Sequence, residues 1–450
     1  MTEFSVVRKE EVAKLEKRER KIEHTLVKEE KQRLAKVRKS ERRAQREQLK
    51  AEREIEQSAI RLRRKEKMLT VASKISEAGL KIDFDLPTLF IVLFLGALGL
   101  VFIYSASNYS AEIQFGDSFK YLKTQAIAMA AGIVVMMVLT YIDVKWLIKW
   151  RYVVLVVSLV LLALVFVPVL GVESYGAKRW INLGFSTIQP SEFAKFGLVI
   201  FIAGSMTVYG VDKFHTMLIP LMAGGAMCLL LMLEPNMSIT VCTLAVVVAM
   251  LFLGGAKISH LLLVIVPSVI FGLILILIEP YRLSRLMAFL DPFASPLGEG
   301  YQLIQSYYSL GSGGLFGVGL FQSRQKYLFL PFAESDFIFS IIGEETGLIG
   351  CIFVIALFIL LLSRGILIAM RAKDRFSCYL ASGISAMIAF QTVINIAVVS
   401  GAIPPTGLPL PFMSAGGSSV VAYYMASGLL LSVSRKKHGN FLSSIEYSKF

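Results

Sequence analysis

Glycine and proline are missing from the first 78 residues, and cysteine and histidine are scarce everywhere, with four of each. Residues 1–80 instead hold about half of the chain's Lys and Arg, many Glu and few aromatics. That mixture favours a charged, solvated helix over a packed domain. Cys228, Cys242, Cys351 and Cys378 lie in or beside apolar blocks with no CxxC pair, so they read as small core hydrophobes. Neither a disulfide framework nor a zinc site is supported. No GK[ST] follows the glycine cluster at 311–319, which excludes a Walker loop.

The chain is rich in long uncharged apolar runs, 55% of it being hydrophobic. These runs are blocks rather than stripes, the pattern of a membrane protein. A bilayer core of about 30 Å takes roughly 20 apolar residues per helix. Ten such blocks are read, at about 87–106, 122–141, 152–170, 190–209, 216–233, 237–255, 260–279, 337–363, 376–400 and 407–434. The predicted fold is all-α and polytopic, with a long extracellular loop between the seventh and eighth helices. Three parts are expected: a basic cytoplasmic tail over 1–80, a membrane domain over 81–434 and a short cytoplasmic tail over 435–450. The first block follows some eighty polar residues and has no small-residue cleavage site, so it is expected to stay as an anchor.

Positive charge orients the bundle. If the blocks alternate, Lys145, Lys149, Arg151, Lys213, Lys257, Arg364, Arg371, Lys373, Arg375 and Arg435 fall on one side with the basic tail, placing both termini in the cytoplasm. His24, His215, His260 and His438 fall there too. Acid or base chemistry on the outer face must therefore use carboxylates. The tail itself suits a spacer, a partner-docking helix or a helix lying on anionic headgroups; charge alone also allows a nucleic-acid arm.

Charges inside or beside the spans are costly and mark functional or paired structural residues. In "QPSEFAKF", Glu192 and Lys195 stand three apart on one helical face. They form a structural ion pair, or Lys195 offers charge to an anionic ligand while Glu192 holds it. "GAKRWINLG" puts Lys178, Arg179 and Trp180 in an outer loop that ought to be poor in cations, suiting either headgroup anchoring or phosphate binding. Arg282 and Arg285 lie at i, i+3 in the loop 280–336, which is too long for an idle connection. Its glycines fit tight re-entrant backbone. In "ESDFIFSIIGEE", Ser335 or Asp336 stands where a helix cap is wanted, while Asp336 also has the desolvated setting that raises a carboxyl toward general-base use. Glu344 and Glu345 lie two turns deeper, and at least one must face inward and find a partner, such as a cation from another span.

These stretches, with "LEPNMS", "SPLGEGYQLIQS", "GSGGLFGVGLFQSRQK" and "GLPLPFMSAGGSS", together resemble the SEDS family of polytopic glycosyltransferases over about 85–435. "QSRQK" and "TGLPLPF" are more similar to the division branch than to the elongation branch. The resemblance implies polymerisation of lipid II on the outer face of the bacterial cytoplasmic membrane, beside a class B penicillin-binding transpeptidase and other divisome proteins, with no nucleic acid. It puts the family's essential aspartate on Asp336, its conserved Glu and Lys on Glu192 and Lys195, and its loop arginines on Arg179 and Arg285. Lys178 and Arg282 join them as substrate-binding candidates, and Glu344, Glu345 and Asn236 as supporting residues. Asn236 stands where the family commonly has aspartate, which puts an ionisable role there in doubt. No clean metal-ligand cluster is visible, although a divalent cation such as Mg would suit a pyrophosphate leaving group. The rival from another class is a lipid II flippase, in which intramembrane carboxylates line a headgroup path.

Overall fold

The computed structural model describes residues 83–174, 177–182, 184 and 187–435; the tail expected over 1–80 lies outside them. Among the described residues, eight helices are long and apolar enough to cross a membrane: α1 (Leu86–Phe115), α2 (Lys120–Tyr141), α3 (Trp146–Ala163, continued by a 3-10 turn to Phe166), α4 (Pro190–Tyr209), α5 (Phe214–Leu233), α7 (Ile258–Ile278), α10 (Ile338–Met370) and α11 (Arg375–Val399). Two more apolar helices, α6 (Met237–Leu253) and α12 (Gly417–Val433), are 17 residues each. They fall in the blocks read at 237–255 and 407–434. The chain is a multi-pass membrane protein.

At its two extremes, burial against hydropathy runs opposite to the order of a water-soluble protein. The most apolar of the eight helices, α7, has mean hydropathy 3.2 and buries only 6% of its central window, whereas the least apolar, α4, at 1.4, buries 83%. A lipid solvent explains this, since apolar side chains need no protein cover there while polar ones do. The core therefore gathers around α4 and α12, which bury Glu192, Lys195, Tyr423 and Tyr424. Small residues let helices close on one another: a Cβ at Gly428 of α12 would lie 2.5 Å from the Met136 carbonyl of α2.

Three features depart from the sequence expectation. The loop after α3 folds into an antiparallel sheet, β1 (Gly171–Ser174), β2 (Ala177–Asn182) and β3 (Thr187–Ile188), in the order β1-β2-β3. The connection 280–336 carries two helices of its own, α8 (Pro280–Leu290) and α9 (Tyr301–Gly313). The last apolar block is helical only from Gly417, because 407–416 runs as an irregular segment packed against the start of α10.

The longest described helix, α10, is broken at Gly347, whose φ is +67°. Glycine is required there, since a Cβ would sit 2.4 Å from the Gly317 amide. The break receives the glycine cluster of the preceding loop. Val318 and Gly319 amides donate to the carbonyls of Glu344 and Glu345 at 2.9 and 3.1 Å, and Leu348 and Ile349 amides donate back to Gly314 and Leu315. Backbone polarity freed by the kink is thus met by backbone.

Candidate active site at the start of helix α10

Asp336 lies two residues before α10, half-buried in a frame made by two other segments. Asn395 of α11 donates from Nδ2 to the Asp336 carbonyl at 2.8 Å and to the Leu408 carbonyl at 2.7 Å. Ser414 donates from Oγ to the Ser335 carbonyl at 2.6 Å, and the Ala415 amide to the Glu334 carbonyl at 2.8 Å. Gln125 of α2 supports the same segment, bonded to the Ser414 carbonyl and to the Gly416 amide, each at 3.1 Å. A Cβ at Gly407 would stand 3.2 Å from Asp336 Oδ2. The backbone of Asp336 is thereby fixed while its carboxyl faces Gly407, where an added methyl would crowd it.

The capping alternative does not hold. Phe337 occupies the N-cap of α10 and no side chain caps it, so neither Ser335 nor Asp336 is spent on the helix end. Burial pushes the Asp336 carboxyl up to about 6; Ser335 draws it down by a hydrogen bond, Glu334 pushes it up, and Arg179 and Arg285 pull it down. The two loop arginines therefore act on Asp336 across the fold. Arg179, from β2, donates through Nε to the Glu234 carbonyl at 3.3 Å and through a terminal nitrogen to the Pro235 carbonyl at 2.5 Å. Arg285, from α8, lies 3.8 Å from Glu299.

Other candidates sit elsewhere. Lys178 is exposed on β2, across from Glu173. Arg282, on the first turn of α8, reaches back to α7 and donates to the Leu275 carbonyl at 3.5 Å. Asn236 is buried at the α5–α6 turn, beside the residues that hold Arg179.

Glu192 and Lys195 are 1% exposed, and the Lys195 ammonium donates to Glu192 Oε2 at 2.8 Å, Gln391 Oε1 at 2.8 Å and the Tyr423 hydroxyl at 3.0 Å. With its three protons committed, Lys195 has none to offer a ligand, and its charge belongs to the core. Gln391 then donates to the Pro409 carbonyl at 2.9 Å, so the pair supports the 407–416 segment that frames Asp336.

Glu344 and Glu345 both face inward. Glu344 accepts from Ser323 Oγ at 2.5 Å and the Arg324 amide at 2.8 Å; Glu345 accepts from Ser105 Oγ at 2.5 Å and the Ser323 amide at 3.3 Å. Their cation is Lys326, 4.0 Å from Glu345, and it comes from the loop before α10 rather than from another span. Together they pin that loop onto the helix.

The sequence reading missed Asn395, Ser414, Gln125, Lys326 and Glu234. Only Glu234 carried a signal in the sequence, as a carboxyl at a short turn between two apolar blocks. Among the described residues, no three His, Cys, Asp or Glu side chains converge to hold a metal ion.

The family profile described as Cell cycle protein, covering FtsW, RodA and SpoVE, matches residues 86–439. The chain belongs to the SEDS family. Stage V sporulation protein E of Bacillus subtilis is 39% identical over 78% of this chain and 97% of that protein. The probable peptidoglycan glycosyltransferase FtsW of Trichlorobacter lovleyi is 40% identical over 78% of this chain and 93% of that protein. A chain from a peptidoglycan synthase complex that coordinates polymerization and crosslinking is 30% identical, with a TM-score of 0.67 over 79% of this chain and 98% of that one. The SEDS fold accounts for the whole described region from α1 to α12.

Proposed function

We propose that this SEDS protein polymerises lipid II into glycan strands on the outer face of the bacterial cytoplasmic membrane, in cell division, with both termini in the cytoplasm. The observation that carries the reading is the Asp336 carboxyl, lifted to about 6 by burial at the mouth of α10 with Arg179 and Arg285 acting on it. A base with that proton affinity is half or more ionised at neutral pH and still accepts a proton well. Asp336 takes the proton from the acceptor sugar's 4-hydroxyl as that oxygen forms its bond to the donor's anomeric carbon. The bond from that carbon to the pyrophosphate oxygen breaks, and undecaprenyl pyrophosphate leaves. One displacement inverts the α-linked donor to a β-linked product, so no second nucleophilic carboxylate is needed. Arg179 and Arg285 offset the charge growing on the leaving group, with Lys178 and Arg282 nearby in sequence to guide it in.

The arginines supply charge compensation from the protein, and a divalent cation such as Mg, brought with the pyrophosphate, would add to it there. A class B penicillin-binding transpeptidase is the expected partner, by analogy with the peptidoglycan synthase complex whose chain shares this fold. Other divisome proteins and membrane lipids are the remaining expected contacts.

The test is polymerisation of purified lipid II in detergent by the chain co-purified with a cognate transpeptidase, comparing wild type with Asp336→Ala on a gel that resolves glycan length. A micelle has no second leaflet, so polymer formed there separates a transferase from a flippase. Polymer from a folded Asp336→Ala protein would remove Asp336 from the mechanism.

A further inference from the structure

Glu234, at the end of α5, is fully buried, and neither of its carboxyl oxygens has a hydrogen-bond partner. A buried carboxyl left in this way is costly if ionised and is an unusual thing for a fold to keep. The charged side chain acting on it is Arg179, whose guanidinium already rests against the backbone carbonyls of Glu234 and Pro235. Burial lifts the Glu234 carboxyl to about 8, and Arg179 draws it partly back. Arg179 acts on Asp336 as well. One guanidinium therefore stands between the catalytic centre and a carboxyl with nothing else to bind.

Among the described residues, the surrounding elements bring no other counter-charge to Glu234. Beside α5, helix α4 brings Glu192 and Lys195 to the same end, but the two are closed on one another. Helices α3 and α6 also pack on α5 and bring no charged residue to that end. From β2, Lys178 is exposed. Asp336, with Glu334 beside it, faces Arg179 from the other segment.

We propose that Glu234 is the internal counter-anion of Arg179: protonated while the guanidinium carries a diphosphate, and on losing its proton to water, drawing the guanidinium back so that the diphosphate leaves. The movement needed is a side-chain rotation, since the guanidinium already touches the main chain of Glu234. Glu234 is thus a positioning residue, acting on the ligand through Arg179. Linkage follows: a bound anion favours the neutral acid, so anion binding takes up a proton, and affinity weakens as pH rises through the Glu234 titration. This rests on the reading of the arginine cluster as the pyrophosphate site.

The test uses the purified full-length chain in detergent with farnesyl pyrophosphate as the probe. For wild type, affinity is expected to fall about tenfold between pH 7 and pH 9, the fall set by one proton taken up near pH 8. Glu234→Gln keeps the shape of the neutral acid and is expected to flatten that fall, holding at pH 9 the affinity wild type has at pH 7. Calorimetry of wild type at pH 8, in buffers of different ionisation enthalpy, is expected to show fractional proton uptake on binding that Glu234→Gln lacks; the wild-type arm needs no variant to fold. A Glu234→Gln protein with the wild-type pH slope, or a wild type that takes up no proton, overturns the role of Glu234 and leaves the anion site standing. A wild type that binds no probe at any pH, or binds it as well after Arg179→Ala, overturns the anion site itself.

Discussion

Lys326 and Glu345 face each other inside the bundle, Nζ to Oε1 at 4.0 Å, with neither side chain more than 3% exposed. The lysine also donates to the Phe321 carbonyl at 2.6 Å, so one ammonium closes the loop and offsets the two carboxylates of α10. Removing it as Lys326→Met leaves Glu344 and Glu345 buried without a cation, and a broken buried pair typically costs about 3 to 5 kcal/mol. The melting temperature in detergent should drop sharply, and Glu345→Gln added to Lys326→Met should recover part of the loss. An unchanged melt for Lys326→Met would show that the loop is not held by this charge.

Lys195 makes a different prediction from the one a ligand-binding lysine would make. Its ammonium is enclosed by Glu192, Gln391 and Tyr423. Lys195→Met should therefore destabilise the protein by about 3 to 5 kcal/mol, and the double variant Glu192→Gln, Lys195→Met by clearly less, because no lone charge is then buried. Melting of the three variants checks this. A large rise in KM with an unaltered melt would return Lys195 to the substrate.

The elements that could be read from sequence are those whose physics is local. Apolar length placed the helices, and rare charges in apolar blocks singled out Asp336, Glu192, Lys195, Glu344 and Glu345. What could not be read is which of those charges meet. Lys326 lies 19 residues before Glu345 in a loop whose path is set by Gly313, Gly317 and the kink at Gly347, none of which announces a partner. Asn395 and Ser414 hold Asp336 through main-chain carbonyls, a use that any Asn or Ser could serve. The short sheet was hidden because its three strands are brief and sit between apolar blocks that dominate the pattern.

Gly407 tests the frame around the base. An alanine Cβ would come within 3.2 Å of Asp336 Oδ2, close enough to push the carboxyl by a few tenths of an ångström. Misplacing a reacting group by 1 Å can cost about a hundredfold in rate, so Gly407→Ala should lower polymerisation by about tenfold. Its melt should stay near wild type, because the added methyl meets one side chain rather than backbone. A fully active Gly407→Ala protein would mean that the carboxyl is not held in the position described.

The pH profile of polymerisation follows from the same carboxyl. With its proton affinity lifted to about 6, Asp336 is protonated and unable to act as a base below that value and ionised above it. Activity should therefore rise with pH through a midpoint near 6. Arg179 and Arg285 both favour the ionised form. Replacing Arg285 with Ala removes one of those fields, so the midpoint should move to higher pH while the fold is retained. Asp336→Asn should lose about a hundredfold to ten-thousandfold of the rate on the plateau above the midpoint, the range general-base catalysis supplies, with a smaller loss on the acid limb. Initial rates from pH 5 to 8 on the three proteins measure all of this. A midpoint that stays put in Arg285→Ala would separate that arginine from the base, and a profile with no acid limb would mean that the titrating group is not Asp336.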